Sequence, residues 1–359
     1  MISSYRNALS RNKIIPPPPP PPPPPTPTPI CDYNTILTLD STQISELPYH
    51  YNACICKYKE GYRLFFRTGS EPKMDKDRIA TILLTESLKI VPNSYKLLNV
   101  HTDSSYMEKK VISQYQPYGS HMYSNGEHSE DPRVIEYNGF WFLTYTDGYK
   151  RGVAKLTLDT CETLYSHYLE KPASISSHGD GREKNWIPFV DTKNRLCMLY
   201  SDSPRTIICF KDNDISLCVE SIVETHVHVK CSFGSIRGGC PPVEYDSEHY
   251  VWFFHTFYNG VYTIGAYITK GFYSVVHVVD EPILVGHIQP KFKTKLTIKD
   301  NVVYPCGAVK TEKGWLISMG INDYKIGLLH VNAEHISSMF QNHTPVHNLS
   351  KVATIAPSV

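Results

Sequence analysis

The feature that most restricts this chain is a hairpin that keeps coming back. EDPRVIEYNGFWFLTYTD (130–147), EKNWIPFVDTKNRLCMLYSD (183–202), RGGCPPVEYDSEHYVWFFHTFY (237–258) and YPCGAVKTEKGWLISMGIND (304–323) share one pattern. A polar, Pro- or Gly-bearing stretch leads into a strand, a tight turn, an apolar strand and a polar exit. The turns fall at Tyr137-Asn138-Gly139, at Asp191 to Asn194, near Asp246 and at Lys313-Gly314. YHYNACICKYKEGYRLFFRTG (49–69) reads as an earlier copy. The copies recur every ~50 to 80 residues, the length of a four-stranded blade with generous loops. Five copies predict an all-β, five-bladed β-propeller, whose inner strands surround a central channel. The competing architecture is a β-sandwich, which needs no motif repeated at equivalent hairpins.

The composition agrees. Beyond residue 30 helical periodicity is scarce, and the 25 Tyr and 13 Phe suit a pleated surface. Residues 16–25 are ten consecutive prolines followed by Thr-Pro-Thr-Pro. Proline lacks the amide donor that helix and sheet require, so this stretch favours an extended polyproline II rod. The chain therefore divides into a disordered tail, residues 1–30, and one propeller domain, residues 31–359. The tract serves either as a passive spacer or as a ligand for an aromatic groove on an SH3-like or profilin-like partner.

Lys and Arg total 36 against 35 for Asp and Glu, a balance that gives no argument for a nucleic-acid or anionic-membrane partner. The ten cysteines are scattered singly apart from Cys54-Ile-Cys56, and none has the C-x-x-C spacing of a tetrahedral metal site. They read as buried thiols. The first residues lack the apolar core of a signal peptide, and no run approaches the roughly 20 apolar residues of a membrane span. A cytoplasmic, reducing location is the expectation, in which the Asn-x-Ser/Thr triplets at Asn342 and Asn348 are chance matches.

Candidate functional residues lie at the starts of the hairpins. Strand alternation puts Asp131 and Arg133 on one face, with Glu130 and Pro132 on the other. Lys184 and Trp186 pair in the same way, a cation beside an aromatic platform suited to a sugar ring. Arg237 precedes Gly238 and Gly239, which let backbone approach a ligand closely. His255 is a lone polar group in WFFHTF. Each has a plain structural alternative: a turn former, a buried ion-pair partner, a solvated lysine, a bulge or a satisfied core histidine. Their shared placement at blade starts favours function, whereas Phe140, Trp141 and Phe142 are assigned to packing. His226 and His228 share a strand face, but no carboxylate or Cys partner is evident, so no metal and no cofactor is expected.

The ordered set EDPR, EKNWIPF, RGGCPPV, FFHTFYNG, YPCGAV and SMGIND, spanning about residues 60–331, resembles glycoside hydrolase family 130. That family comprises mannoside phosphorylases and their mannosyltransferase relatives on five-bladed propellers. The resemblance implies that Asp131 is the proton donor to the glycosidic oxygen, acting in the phosphorylases through a sugar hydroxyl. It implies that Arg133 orients the sugar or donor, that Lys184 and His255 lie near phosphate, and that Asp323, in GIND, closes the site. Arg67, in RLFFRTG, matches a first-blade arginine. Two departures concern the phosphate site: Asn-Trp stands at 185–186 where the phosphorylases carry Asp and small apolar residues, and Asn259 intervenes where Gly would follow the His closely. These changes leave room for a sugar-nucleotide donor.

Moving a glycosyl group needs an acid or base at the bridging oxygen and stabilisation of an oxocarbenium-like transition state. An inverting hydrolase also needs a second carboxylate. Glu183 and Glu244 lie near the motifs, but alternation turns Glu183 away from the channel. The basic set Arg133, Lys184, Arg237 and His255 reads better as a cradle for inorganic phosphate or the pyrophosphate of a sugar-nucleotide donor. The expectation is a glycosyltransferase or glycoside phosphorylase acting on a mannose-like sugar or oligosaccharide. The alternatives are an inverting glycoside hydrolase on the same fold and a non-catalytic glycan-binding or scaffold propeller.

Overall fold

The structure, a computed structural model, describes residues 29–69, 77–100, 129–147, 150–169, 172, 175, 185–211, 219–225, 229–258, 260–287, 301–341 and 353–355. The polyproline tract, Lys184, Glu183, Asn259, His226, His228, Asn342 and Asn348 lie outside these residues.

The described strands form five antiparallel sheets, one per predicted blade. After β1 (Leu37–Thr38), blade one comprises β2 (Tyr49–Tyr58), β3 (Gly61–Gly69), β4 (Arg78–Leu84) and β5 (Lys96–Leu97). Blade two comprises β6 (Glu130–Tyr137), β7 (Phe140–Asp147), β8 (Lys150–Thr157) and β9 (Thr163–Leu169). Blade three holds β10 (Ile187–Val190), β11 (Leu196–Asp202), β12 (Arg205–Phe210) and β13 (Val219–Thr225). In blade four the inner edge is split between β14 (Ser235–Gly239) and β15 (Val243–Glu244). Its other strands are β16 (His249–Tyr258), β17 (Val261–Lys270), β18 (Ser274–Val278) and β19 (Leu284–Val285). Blade five is β20 (Val303–Thr311), β21 (Gly314–Ile321) and β22 (Lys325–Asn332). A short helix, α1 (Ala333–Gln341), follows it, and β23 (Ala353–Ile355) adds a fifth strand to blade three.

Blade five is completed from the other end of the chain. Leu37 pairs with Leu328 and Thr38 with Gly327, so β1 becomes its outermost strand and closes the ring. The predicted turns are in place: Asn138 and Gly139 both adopt positive φ (51° and 77°), the two-residue turn whose twist matches that of the flanking strands.

Adjacent sheets pack face to face and share cores. One cluster joins Cys54 and Phe65 of blade one with Trp141 and Leu143 of blade two and Cys306 of blade five. A second joins Phe189, Trp252, Phe254, Ile317 and Met319 from blades three, four and five. Trp141 and Phe142 are buried as packing residues, while Phe140 is partly exposed with the Lys155 ammonium 3.9 Å from its ring centre.

What positions the site is a defect repeated at the inner edge. Register shifts interrupt the pairing of β2 between Tyr51 and Cys54, of β6 between Glu130 and Arg133, of β14 between Arg237 and Gly239, and of β20 between Pro305 and Gly307. Asn52 and Asp131 take left-handed backbone at two of these points, each with φ of 51°, and Asn185, just before β10, does so with φ of 65°. Asn and Asp tolerate that conformation better than other non-glycine residues. Bulges of this kind re-aim side chains and turn the strand.

The glycines at the axis serve a different purpose from the one expected. A side chain on Gly238 would meet the Asn185 carbonyl oxygen at 2.5 Å, and one on Gly307 would meet the Ile55 amide nitrogen at 2.4 Å. They let neighbouring inner strands touch backbone to backbone, rather than admitting a ligand.

Candidate active site

The bulge in β6 sends two consecutive carboxylates to one cation. Arg67, on β3, donates from Nη1 to Oδ1 of Asp131 at 3.1 Å and from Nη2 to Oε1 of Glu130 at 3.1 Å. Nη2 also forms a short ion pair with Asp77. The alternation expected for Glu130 and Asp131 therefore fails, because the register shift inserts a residue at that point. Asn52 donates from Nδ2 to the same Asp131 oxygen at 2.7 Å. The Asp131 side chain stays 13% exposed, so the carboxylate is held yet reachable.

Tyr51 supports this group from below. Its ring lies 4.6 Å from the Arg67 guanidinium carbon, and its hydroxyl donates to Oδ2 of Asp77 at 2.8 Å. Burial pushes the Tyr51 hydroxyl far above its ordinary range; Arg67 opposes this, and Asp77 and Asp323 add to it. The hydroxyl is thus a fixed donor. Burial disfavours the charge on Arg67, but Glu130, Tyr51, Asp77 and Asp131 outweigh it and hold the guanidinium firmly protonated. Asp323 sits in the turn after β21 with φ 51°, partly buried, close enough to Tyr51 for its charge to be felt there.

Arg133 takes another path. Completely buried, it donates from Nε to the Gly239 carbonyl at 2.7 Å and from Nη1 to the Asp131 carbonyl at 3.3 Å. Nη2 reaches Oδ1 of Asn185 at 3.2 Å and the Tyr304 hydroxyl at 3.0 Å, and Tyr304 in turn donates to Asn185 at 2.5 Å. One side chain thereby ties blade two to blades three, four and five.

His255 is 2% exposed and packs its ring against Tyr304 and Tyr262, with centroids 4.6 and 5.7 Å away. Its Nδ1 contacts the Gly238 carbonyl at 2.5 Å, which assigns the proton to that nitrogen. Burial pushes its pKa down to about 3, helped by Arg133 and Arg237, although the Gly238 contact works the other way. His255 is therefore neutral, and it fails as a cationic member of the expected phosphate cradle. Arg237, its register partner, is exposed and faces the Phe257 ring.

Two further expectations are corrected. Trp186 is 1% exposed, packed edge-on against Tyr200, and its carbonyl accepts a hydrogen bond from Arg151. It has no open face to offer a sugar. Glu244 lies at the opposite end of the inner strands, ion-paired with Lys310 at 3.4 Å, beside a cavity of about 390 Å³ also lined by Lys57, Glu136 and Pro241. It is too far along the axis to act as a base for Asp131.

Sequence reasoning missed Tyr51, Asn52, Asp77, Asn185 and Tyr304 as site residues. Four of them had a signal, since they occupy or adjoin the blade starts in YHYN, EKNW and YPCG. Asp77 had none, because it precedes β4 outside any hairpin motif.

The sequence profile of glycoside hydrolase family 130, described as beta-1,4-mannooligosaccharide phosphorylase, matches residues 109–342. Curated protein sequences gave no match. Among solved structures, the chain is similar to the beta-1,2-mannobiose phosphorylase from Listeria innocua, with a TM-score of 0.55 and 12% identity over 87% of this chain and 98% of that one. A structure described as a family 130 glycoside hydrolase targeting beta-1,2 mannosidic linkages in Candida mannan gives 0.52 at 13% identity, covering 82% and 90%. A hypothetical protein from Leishmania major gives 0.50 at 13%, covering 84% and 89%. At these identities the structural likeness speaks for the fold.

Proposed function

The chain belongs to glycoside hydrolase family 130, and from that premise we propose that it cleaves or forms a mannoside bond with Asp131 as the acid or base at the glycosidic oxygen. The observation that carries this reading is the Asp131 carboxylate itself. It is lifted by a left-handed bulge at the head of an inner strand, steadied by Asn52 and Arg67, and still reachable from outside. A carboxylate held in one orientation and open on its outer side is what a positioned acid or base at a bridging oxygen requires. Asn52 and Arg67 both hold Oδ1 and so fix the orientation of the carboxylate, and Tyr51 and Asp77 fix Arg67.

Phosphate is the preferred glycosyl acceptor, in keeping with the family description, with Arg237 as the exposed cation on that side of the funnel and Lys184 as its expected companion. Hydrolysis is the second reading, and a specific observation favours it. Arg133 already donates to four protein acceptors and His255 is neutral, so two members of the expected cradle are committed elsewhere. A sugar-nucleotide donor such as GDP-mannose would need the same cations.

The deciding experiment incubates the full chain with manno-oligosaccharides in the presence and absence of inorganic phosphate and identifies the product. Mannose 1-phosphate formed only with phosphate supports phosphorolysis. Free mannose in both conditions supports hydrolysis. No turnover of any mannoside, in either direction or with GDP-mannose as donor, would remove the catalytic reading.

The tail and domain division, the cytoplasmic location and a groove-bearing partner for the polyproline tract remain part of this proposal. No described helix is long and apolar enough to cross a membrane. Capture of an SH3 or profilin domain by the full chain, and its loss on deleting residues 16–25, is the test of that partner.

A further inference from the structure

Cys197 on β11 and Cys209 on β12 are direct register partners in blade three, and their sulfurs lie 2.7 Å apart. Partners across an antiparallel pair have Cα atoms about 4.5–5.5 Å apart, within the span a disulfide accepts, so bonding these sulfurs needs no movement of the backbone. Both side chains are fully buried. The surroundings are polar on one side only: the Tyr273 hydroxyl is 3.7 Å from the Cys209 sulfur, and Arg195 donates from Nη2 to that hydroxyl at 3.3 Å. Nothing in the proposed sugar chemistry uses this group.

We propose that Cys197 and Cys209 form a redox site, a dithiol that hydrogen peroxide converts to a cross-strand disulfide. The Cys209 sulfur attacks one peroxide oxygen, the O–O bond breaks, and a sulfenic acid and one water result. The Cys197 sulfur then attacks the sulfenic sulfur, the S–S bond forms, and the hydroxyl leaves with the Cys197 proton as a second water. The two thiols lose two electrons and peroxide gains them.

The order of attack follows from the contacts. The Cys197 thiol directed at Cys209 holds Cys209 below the ordinary thiol range, with help from Tyr273 and Arg195 against the opposing effect of burial. The same contact, with burial, holds Cys197 above it. Thiolate character decides which sulfur reacts first. Tyr273, in contact with the Cys209 sulfur, is only partly buried, which links the pair to the surface.

A metal site is the rival use of the same atoms, since Asp191 offers a carboxylate oxygen within 4.8 Å of both sulfurs. That carboxylate is already occupied. Its Oδ1 accepts from the backbone amides of Lys193 and Arg195, and its Oδ2 accepts from Arg195 Nε, Arg195 Nη2 and the Tyr273 hydroxyl. A guanidinium bound to the third ligand repels a cation, which leaves two sulfurs and too few donors for a tetrahedral site.

The test uses the reduced full chain, treated with hydrogen peroxide, denatured and alkylated, then mapped by peptide mass spectrometry. Two of the ten cysteines should escape alkylation, and a linked peptide pair containing Cys197 and Cys209 should appear and vanish on reduction. Cys197→Ala and Cys209→Ala should each abolish that pair, whereas Cys161→Ala should leave it. The wild-type map stands even if a variant folds poorly. Ten alkylated cysteines after peroxide, linkage between other cysteines, or a stoichiometric divalent metal that protects these two until a chelator removes it would each overturn the proposal.

Discussion

Among the described residues, two triads of arginine, aspartate and tyrosine are buried at all three members, and only one of them belongs to the candidate active site. Near the axis, Arg67 lies over the Tyr51 ring and binds Asp77, which also accepts from the Tyr51 hydroxyl. Between blades three and four, Arg205 lies over Tyr267, with Asp202 3.6 Å away, and Tyr267 donates to Asp202 at 2.7 Å. Burial and hydrogen bonding alone do not separate them. Charge balance does: Arg205 faces one carboxylate and spends its other donor on the Phe272 carbonyl, whereas Arg67 gathers Glu130 and Asp131 as well. A neutral triad is a rivet between blades. The same triad with two added carboxylates at an open edge is the one to which the proposed proton transfer is assigned.

The widest separation between the two should come from Asp131→Asn. Asn tolerates the left-handed backbone at this position, so the fold should persist while turnover drops by about 10²- to 10⁴-fold, the usual contribution of a positioned acid or base. Steady-state rates on the best mannoside substrate, alongside thermal melting, measure both; full activity would end the assignment.

Arg205→Met should give the reverse result. Losing the guanidinium leaves Asp202 buried without its cation, at a cost of about 3–5 kcal/mol in urea unfolding, with turnover per folded molecule unchanged. A matching loss of turnover would make the two triads alike in function and dissolve the contrast.

Arg67→Gln addresses the excess carboxylates directly. Removing a cation from beside a carboxylate raises its pKa, so the acid limb of the pH–rate profile should move upward by about 1–3 units. An unmoved limb would mean that Arg67 does not set the protonation of the working group.

The smallest effect expected comes from His50, one residue before Tyr51. Burial pushes its pKa down to about 4, partly opposed by the Leu47 backbone. Below the ordinary value near 6.5 the unfolded chain takes up a proton that the folded chain refuses. Stability is therefore whole above pH 6.5 and falls as the pH drops toward 4, by roughly 2–3 kcal/mol from this residue. His50→Gln should flatten that part of the stability curve in urea titrations at stepped pH.

The contrast between the triads also shows what a sequence exposes and what it hides. The Asn138-Gly139 turn was legible because its backbone needs those residue types, and the repeated hairpins announced five sheets. Asp131 was singled out by its motif, and the structure sets it in the bulge beside Arg67. The pairing of Glu130 with Arg67 was hidden, because period-2 alternation holds only while the register does, and the bulge falls one residue later. Trp186 misled for a related reason: a tryptophan at a blade start is indistinguishable in sequence from one sealed between its own blade and the preceding one by Tyr200 and Arg151. Asp77 was invisible because its importance depends on Arg67, ten residues upstream on β3.

The seam that closes the ring also has a history in time. Leu37 and its partner Leu328 lie roughly 290 residues apart, so at a synthesis rate of about 5–20 residues per second the first strand waits on the order of 15–60 s for its partner to emerge. During that interval four blades can be built, but the circle stays open, with one edge already made and the other still inside the ribosome. The ring of this propeller thus cannot close until β22 has emerged, however early its individual hairpins form.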